Sequence, residues 1–260
     1  MTAMTKSLLP AAPSFRLDGR RALVTGAGRG IGLAAAASLA SAGAHVLLCA
    51  RTATEIGVAA AAIIAAGGSA EAIPFDVTDL DAVATILSAQ PPIDILVNNA
   101  GMNRPNFLTE VSVADFDAVM GLNVRANYFV AQAVARRLIE AARGGSIINV
   151  SSQMGHVGGA RRSLYCASKW AMEGFTKAMA IDLAPHRIRV NTLCPTYIET
   201  PMTAPFLRDA AFRQSVLEKI KLGRLGQVED LTGAIVFLAS DASSLMTGSA
   251  LVIDGGWTAE

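Results

Sequence analysis

The chain has almost no excess of charge of either sign. Its 260 residues include 22 lysines and arginines against 21 aspartates and glutamates, a net charge of +1, so no electrostatic footprint for a nucleic acid or an anionic membrane surface is present. Long apolar runs are also missing. Hydrophobic residues make up 52% of the chain, yet its most apolar stretch, VAAAAIIAA at 58–66, falls far short of the roughly 20 residues that span a bilayer. Cysteine is scarce and odd in number: Cys49, Cys166 and Cys194 lack metal-ligand spacing and suggest reduced thiols of a cytoplasmic protein rather than disulfides or zinc. His45, His156 and His186 are equally scattered, and no metal site is expected. The opening MTAMTKSLLPAAPSF, with one lysine and an apolar piece broken by Pro10 and Pro13, makes a poor secretory signal. Residues 1–15 are expected to be a loose tail before a single domain at 16–260.

What is present is an alternation. Short β-rich runs, RALVT (21–25), HVLLCA (45–50), EAIPF (71–75), IDILVN (93–98), SIINVS (146–151), RVNTLC (189–194) and ALVID (250–254), are separated by longer helical stretches. Near-continuous apolar strands with helices between them predict an α/β fold, a doubly wound, seven-stranded parallel sheet with helices on both faces. Right-handed crossovers place the strand-to-helix loops on one edge, where ligands of such folds bind. Residues 201–222 interrupt the alternation and read as an extra helix, a substrate lid, before a last helix at 229–240.

The first strand runs into TGAGRGIG at 25–32 and then an alanine-rich helix. Glycines allow backbone N–H groups to approach a pyrophosphate, and the helix N-terminus carries partial positive charge for it. The spacing is G-x-x-x-G-x-G, with Gly26, Gly30 and Gly32. After the second strand, where an acid usually holds the ribose of NAD, the chain has Arg51, and no acid occurs between Asp18 and Glu55. With Arg29 in the glycine turn, two guanidinium groups suit a 2′-phosphate, which predicts NADP(H) rather than NAD(H).

The stretch YCASK puts Tyr165 and Lys169 one helical turn apart on the same face. A phenol ionises near pH 10 in water; a neighbouring ammonium favours the phenolate and would bring it toward the working range of a general base. Ser152 ends the strand SIINVS, so its hydroxyl reaches the ligand edge of the sheet.

Taken together, TGAGRGIG, the DV at 76–77, NNAG at 98–101, LNV at 122–124, the serines at 151–152, YCASK at 165–169 and CPTYIET from Cys194 resemble the short-chain dehydrogenase/reductase (SDR) family over nearly the whole chain. The resemblance implies a catalytic set of Asn123, Ser152, Tyr165 and Lys169. A hydride passes between substrate carbon and nicotinamide while Tyr165 moves the proton, Ser152 holds the substrate oxygen, and Asn123 fixes a water relaying protons to Lys169. For the cofactor it implies contacts from Gly26, Arg29, Gly30 and Ile31 at the phosphate turn, and from Arg51. Asp76 and Val77 would contact the adenine, and Asn99, Ala100 and Gly101 the adenosine ribose. Tyr165 and Lys169 would meet the nicotinamide ribose, and Pro195, Ile198 and Thr200 the carboxamide and phosphate. The chain departs from the family where Thr196 follows Pro195 in place of the usual glycine.

For substrate, the loop after NNAG (Met102, Asn103, Arg104), the loop after Ser152 (Gln153, Met154, His156, Arg161, Arg162) and the lid (Met202, Phe206, Phe212) should line the pocket. Ser152, Gln153, His156, Arg162 and Met202 are the candidate contacts, although two adjacent loop arginines read by default as solvated charges. Their polarity favours a sugar, polyol or sugar acid. Alternatives are a 3-oxoacyl-thioester reductase, for which only Arg143 offers a docking charge, and a non-catalytic NADP(H) sensor. The resemblance also implies a homotetramer; the balanced charge and short apolar runs give no expectation of a nucleic-acid or membrane partner.

Overall fold

The computed structural model describes residues 11–260. Seven strands form the predicted sheet: β1 (Arg21–Thr25), β2 (His45–Ala50), β3 (Ser69–Pro74), β4 (Ile95–Asn98), β5 (Gly145–Val150), β6 (Ile188–Pro195) and β7 (Ala250–Ile253). All are parallel, in the order β3-β2-β1-β4-β5-β6-β7. The order reverses between β1 and β4, and a crevice at such a reversal is where doubly wound sheets bind ligands. Of the expected tail, residues 1–10 lie outside the described residues. Residues 11–15 have no regular structure, and Phe15 ends them with its ring 6.4 Å from that of Phe237.

Strand pleating divides the core into two. Val24, Leu48, Val97 and Ile148 face one layer of helices, while their neighbours Leu23, Leu47, Leu96 and Ile147 face the other, as a period of two requires. The first layer contains α1 (Gly30–Ser41), α2 (Ala53–Ala65) and α9 (Glu229–Ala239); the second contains α3 (Leu80–Ala89), α5 (Asn127–Glu140) and α6 (Ser163–Leu183). Each fully buried leucine or isoleucine contributes about 1.5–3 kcal/mol, so the strands that carry the ligand loops are firmly seated.

Helix ends differ in a way that matters for function. Asp79 accepts from Ala82 N at 3.0 Å to cap α3, and Ser112 accepts from Asp115 N at 3.0 Å to cap α4 (Val113–Met120). The N-terminus of α1 has neither a side-chain cap nor an acid in its first turn, which leaves its N–H groups directed at the glycine turn. Between α4 and α5 the chain makes a turn of π-helix at Gly121–Ala126.

The insert is not the single helix expected. It forms α7 (Ala204–Leu207) and α8 (Ala210–Leu217), broken where Asp209 leaves helical geometry and caps α8 by accepting from Ala211 N and Phe212 N at 2.9 and 3.1 Å. A carboxylate so placed satisfies the N–H groups of a new helix better than it continues an old one. Val216, Ile220 and Leu225 form a small separate core under the insert, against which Tyr197 and Trp257 pack, their rings stacked at 5.6 Å.

Candidate active site

At the nucleotide end the backbone itself selects glycine. Gly26 and Gly30 have φ of +64° and +55°, and a Cβ on Gly32 would lie 2.2 Å from the carbonyl oxygen of Gly26; any side chain there would break the turn. Thr25 fastens this turn to the next loop. Its hydroxyl accepts from the N–H groups of Asn99 and Ala100, both at 3.0 Å, while Asn99 Nδ2 donates to the Thr25 and Gly26 carbonyls at 2.9 and 3.2 Å. Thr25 was not among the expected site residues; its signal was its place as first residue of TGAGRGIG.

The remaining nucleotide candidates surround this edge. Asp76 accepts from Thr78 N at 2.9 Å and closes the turn after β3, with Val77 buried beside it. Ile31 is half-buried against the core, and Gly101 lies against Asn123, whose Oδ1 would be 3.3 Å from an added Cβ. Pro195 ends β6, and Ile198 bridges to Gly226. Thr200 rests over the glycine turn, 3.4 Å from where a Gly30 Cβ would lie. Arg51 is exposed and joins no ion pair among the described residues. Arg29 pairs with Glu55 at 3.6 Å, so the acid beyond the acid-free stretch folds back onto the turn from the first turn of α2.

Three elements bring the four chemical groups together. β5 delivers Ser152, whose hydroxyl donates to Gln153 Oε1 at 2.6 Å and accepts from Met154 N at 3.1 Å. α6 carries Tyr165 and Lys169. The Lys169 ammonium is buried, lies 5.6 Å from the centroid of the Tyr165 ring and donates to the Val150 carbonyl at 2.8 Å. Asn123, in the π-turn, accepts from Met102 N at 2.8 Å and donates to Met102 O and Ser168 Oγ at 2.9 and 3.0 Å; Ser168 in turn donates to the Tyr165 carbonyl at 2.7 Å. The Asn123 side chain therefore clasps the loop after β4 to the helix of Tyr165 and does not itself reach Lys169. Behind these groups, Asn98 donates to Asn149 Oδ1 at 3.0 Å and Asn149 to Thr176 Oγ1 at 2.8 Å, a buried chain that pins α6 to the sheet.

Burial sets the electrostatics of Tyr165 and Lys169 in the chain alone. Burial pushes the Tyr165 phenol up to about 12, opposed chiefly by the Ser152 hydroxyl and more weakly by the Arg162 guanidinium. Burial also brings Lys169 down to about 8, with Cys194 and Glu173 opposing. In the chain by itself desolvation dominates both groups; the expected lowering of the phenol is by Lys169 together with the positive nicotinamide of the oxidised cofactor.

The cleft beside Tyr165 and Ser152 is lined by Asn103, Gln153, Arg162, Thr196 and Met202 among others. Arg162 is not the solvated loop charge that the sequence suggests by default. It is only 6% exposed, its guanidinium lies 5.5 Å from the Phe206 ring centroid and 5.8 Å from that of Phe212, and it joins no ion pair among the described residues. Thr196 does not adopt a positive φ, so it replaces glycine without strain, and its N–H donates to the Ile253 carbonyl at 3.2 Å. Asn103 Oδ1, Arg162 Nε and Thr196 Oγ1 are all buried without a hydrogen-bond partner in the chain. Tyr197 and Thr203 also line the cleft and were missed by the sequence reading, though Tyr197 lies within CPTYIET. His156 does not reach this cleft. Its Nε2 lies 3.4 Å from Cys194 Sγ and 3.8 Å from Glu173 Oε1, behind the catalytic loop. Arg104 is held by Asp115. Arg143 precedes β5 at the opposite edge of the sheet, bound to buried Asp94 at 2.6 Å, and offers no docking charge at the cleft.

A phenol held beside a hydroxyl, with an ammonium one turn below and an uncapped helix end across the crevice, is equipped to move a proton at a carbonyl while a dinucleotide handles hydride. The class this defines is the dinucleotide-dependent oxidoreductases with a doubly wound sheet. The chain belongs to the short-chain dehydrogenase/reductase family. A family model described as enoyl-(acyl carrier protein) reductase matches residues 26–258. Gluconate 5-dehydrogenase of Gluconobacter oxydans (strain 621H) is 45% identical over 248 residues, which cover 94% of this chain and 96% of that protein. L-xylulose reductase of Bos taurus is 40% identical over 245 residues, 94% of this chain and 99% of that one. The crystal structure of a gluconate 5-dehydrogenase from Burkholderia cenocepacia J2315 in complex with NADP and tartrate superposes with a TM-score of 0.91 at 40% identity, covering 95% of this chain and 98% of that one.

Proposed function

We propose that the protein is an NADP(H)-dependent oxidoreductase that interconverts a secondary alcohol and a carbonyl on a sugar acid. One observation carries the substrate class: Arg162 is buried in the cleft with no carboxylate partner among the described residues. Its Nη1 donates to the Arg161 carbonyl at 3.4 Å and its Nε to nothing, next to two further polar atoms, Asn103 Oδ1 and Thr196 Oγ1, without a partner in the chain. A buried guanidinium without a carboxylate is costly. A polyhydroxylated anion would set its carboxylate toward Arg162 and its hydroxyls toward Asn103 and Thr196, with these side chains turning to meet it. The names of the G. oxydans relative and the B. cenocepacia structure support this reading over a thioester, whose acyl chain would leave these polar atoms unpaired.

The cofactor fits the residues present. The glycine turn and the uncapped α1 would hold its pyrophosphate, and Arg51 with Arg29 its 2′-phosphate. When bound, NADP(H) accepts or supplies the hydride. The chain's own groups do the rest: Ser152 holds the substrate oxygen beside Tyr165, Tyr165 moves the proton, and Lys169 keeps a positive charge behind it. Homotetramer assembly and a cytoplasmic location complete the proposal. Free, buried Cys49, Cys166 and Cys194 suit a reducing compartment, and exposed apolar residues on α5 and α6, including Tyr128, Phe129, Trp170 and Ile181, together with Val252 on β7, supply two surfaces for subunit contacts.

The deciding experiment is a steady-state comparison of wild type with Arg162→Ala on a hexonate and on a neutral ketose of the same length. Loss of one charge-assisted contact should raise KM for the sugar acid by about 10- to 100-fold and leave the neutral sugar nearly unaffected. An equal loss on both would reject the carboxylate role of Arg162.

A further inference from the structure

Behind the catalytic loop, three residues far apart in sequence meet around one point. His156 follows the turn after β5, Glu173 lies on α6 one helical turn beyond Lys169, and Cys194 is on β6. His156 Nε2 lies 3.4 Å from Cys194 Sγ, Cys194 Sγ lies 3.3 Å from Glu173 Oε1, and His156 Nε2 lies 3.8 Å from the same oxygen. Bonds of about 2.0–2.3 Å from a tetrahedral zinc-type ion to nitrogen, oxygen and sulfur require ligand atoms roughly 3.3–3.7 Å apart. The observed triangle has nearly those edges.

The surroundings also suit an ion. Thr192 Oγ1 donates to the other carboxylate oxygen, Glu173 Oε2, at 2.9 Å and so fixes Oε1 toward the cluster, as an outer-shell partner of a ligand does. Ser151 Oγ is buried without a hydrogen-bond partner and turns to the same place: a Cβ on Gly155 would be 3.0 Å from it and 3.3 Å from Glu173 Oε1. Glu173 and Cys194 are buried, whereas the His156 side chain is one-third exposed, which gives an ion a way in from solvent.

We propose that His156, Glu173 and Cys194 form a binding site for a divalent cation of the zinc class, distinct from the cofactor and substrate cleft. Sulfur, imidazole and one carboxylate select zinc-type ions over magnesium or calcium, which take oxygen ligands. On binding, Cys194 forms a sulfur–metal bond and releases its thiol proton to solvent, and a fourth position remains for water or the Ser151 hydroxyl. The ion would tie the loop after β5 to α6 and β6, immediately behind Ser152 and one turn from Lys169, so that its occupancy reports on the rigidity of the catalytic elements.

Cobalt(II) titrated into untagged, chelator-stripped full-length protein tests this. One equivalent should bind with a thiolate-to-cobalt charge-transfer band in the near ultraviolet and the intense visible bands of a four-coordinate site. Zinc should displace it and raise the melting temperature. Cys194→Ser should abolish the charge-transfer band, His156→Ala should weaken binding at least about 10-fold, and Cys166→Ser should leave both unchanged. A wild-type spectrum without the charge-transfer band, or one that persists in Cys194→Ser, overturns the site. Should Cys194→Ser not fold, His156→Ala decides: unchanged affinity there also overturns it.

Discussion

Lys169 is held in the interior with its ammonium on the Val150 carbonyl, and burial brings it from its ordinary value of 10.5 to about 8. Below pH 8 the folded protein bears the full cost of that buried charge, about 3 kcal/mol for such a shift. Between pH 8 and 10.5 the unfolded chain binds the proton more tightly than the folded one, so this contribution to stability rises with pH across that window. Lys169→Met should therefore be more stable than wild type at pH 7. After about 1 kcal/mol for the stranded carbonyl, its melting temperature should rise by roughly 4–8 °C as turnover disappears. A lower melting temperature would mean that the charge is compensated in the folded state. At the other end of the crevice, Arg51→Ala should raise KM for NADP(H) by about 10- to 100-fold with little effect on NAD(H); an equal rise for both would remove its 2′-phosphate role. The identities of these residues were legible because Arg51 directly follows a strand and Lys169 belongs to YCASK, one of several motifs in a fixed order along the chain. Their electrostatics were not, because desolvation depends on what packs above a side chain, as the buried Arg162 illustrates.

At the scale of elements, all seven strands were legible from apolar runs between helical stretches, with ends shifted by only a few residues. The insert was read less well, because an aspartate in a helical stretch does not announce whether it will continue the helix or cap a new one. Asp209 caps, and this makes the lid two short helices with a joint between them. Asp209→Ala should loosen α8 by about 1 kcal/mol without changing the global melting temperature. Limited proteolysis at Arg208 and Arg213 should accelerate and KM for substrate should rise. A shift of the whole unfolding transition would show instead that the lid folds as one unit with the sheet. The π-turn that carries Asn123 was likewise invisible, since one residue of altered helical register leaves no mark on hydrophobic periodicity.

The whole molecule is a single parallel sheet with its ligand loops on one edge and apolar side chains left on α5, α6 and β7. Light scattering should give the mass of four chains, and Phe129→Glu should lower it; a wild-type monomer would remove the tetramer. Assembly was legible only through the family resemblance, since a surface patch gathers residues from distant parts of the chain. The cleft has a last consequence, for selectivity. Asn103, Arg162 and Thr196 each hold a polar atom that is already shielded from water and that the polypeptide leaves unsatisfied, so a matching ligand oxygen supplies a partner that an analogue lacking it does not. Deoxy sugar acids should be rejected far more steeply than analogues that merely add a methylene, the asymmetry expected of a pocket built to answer oxygen with hydrogen bonds.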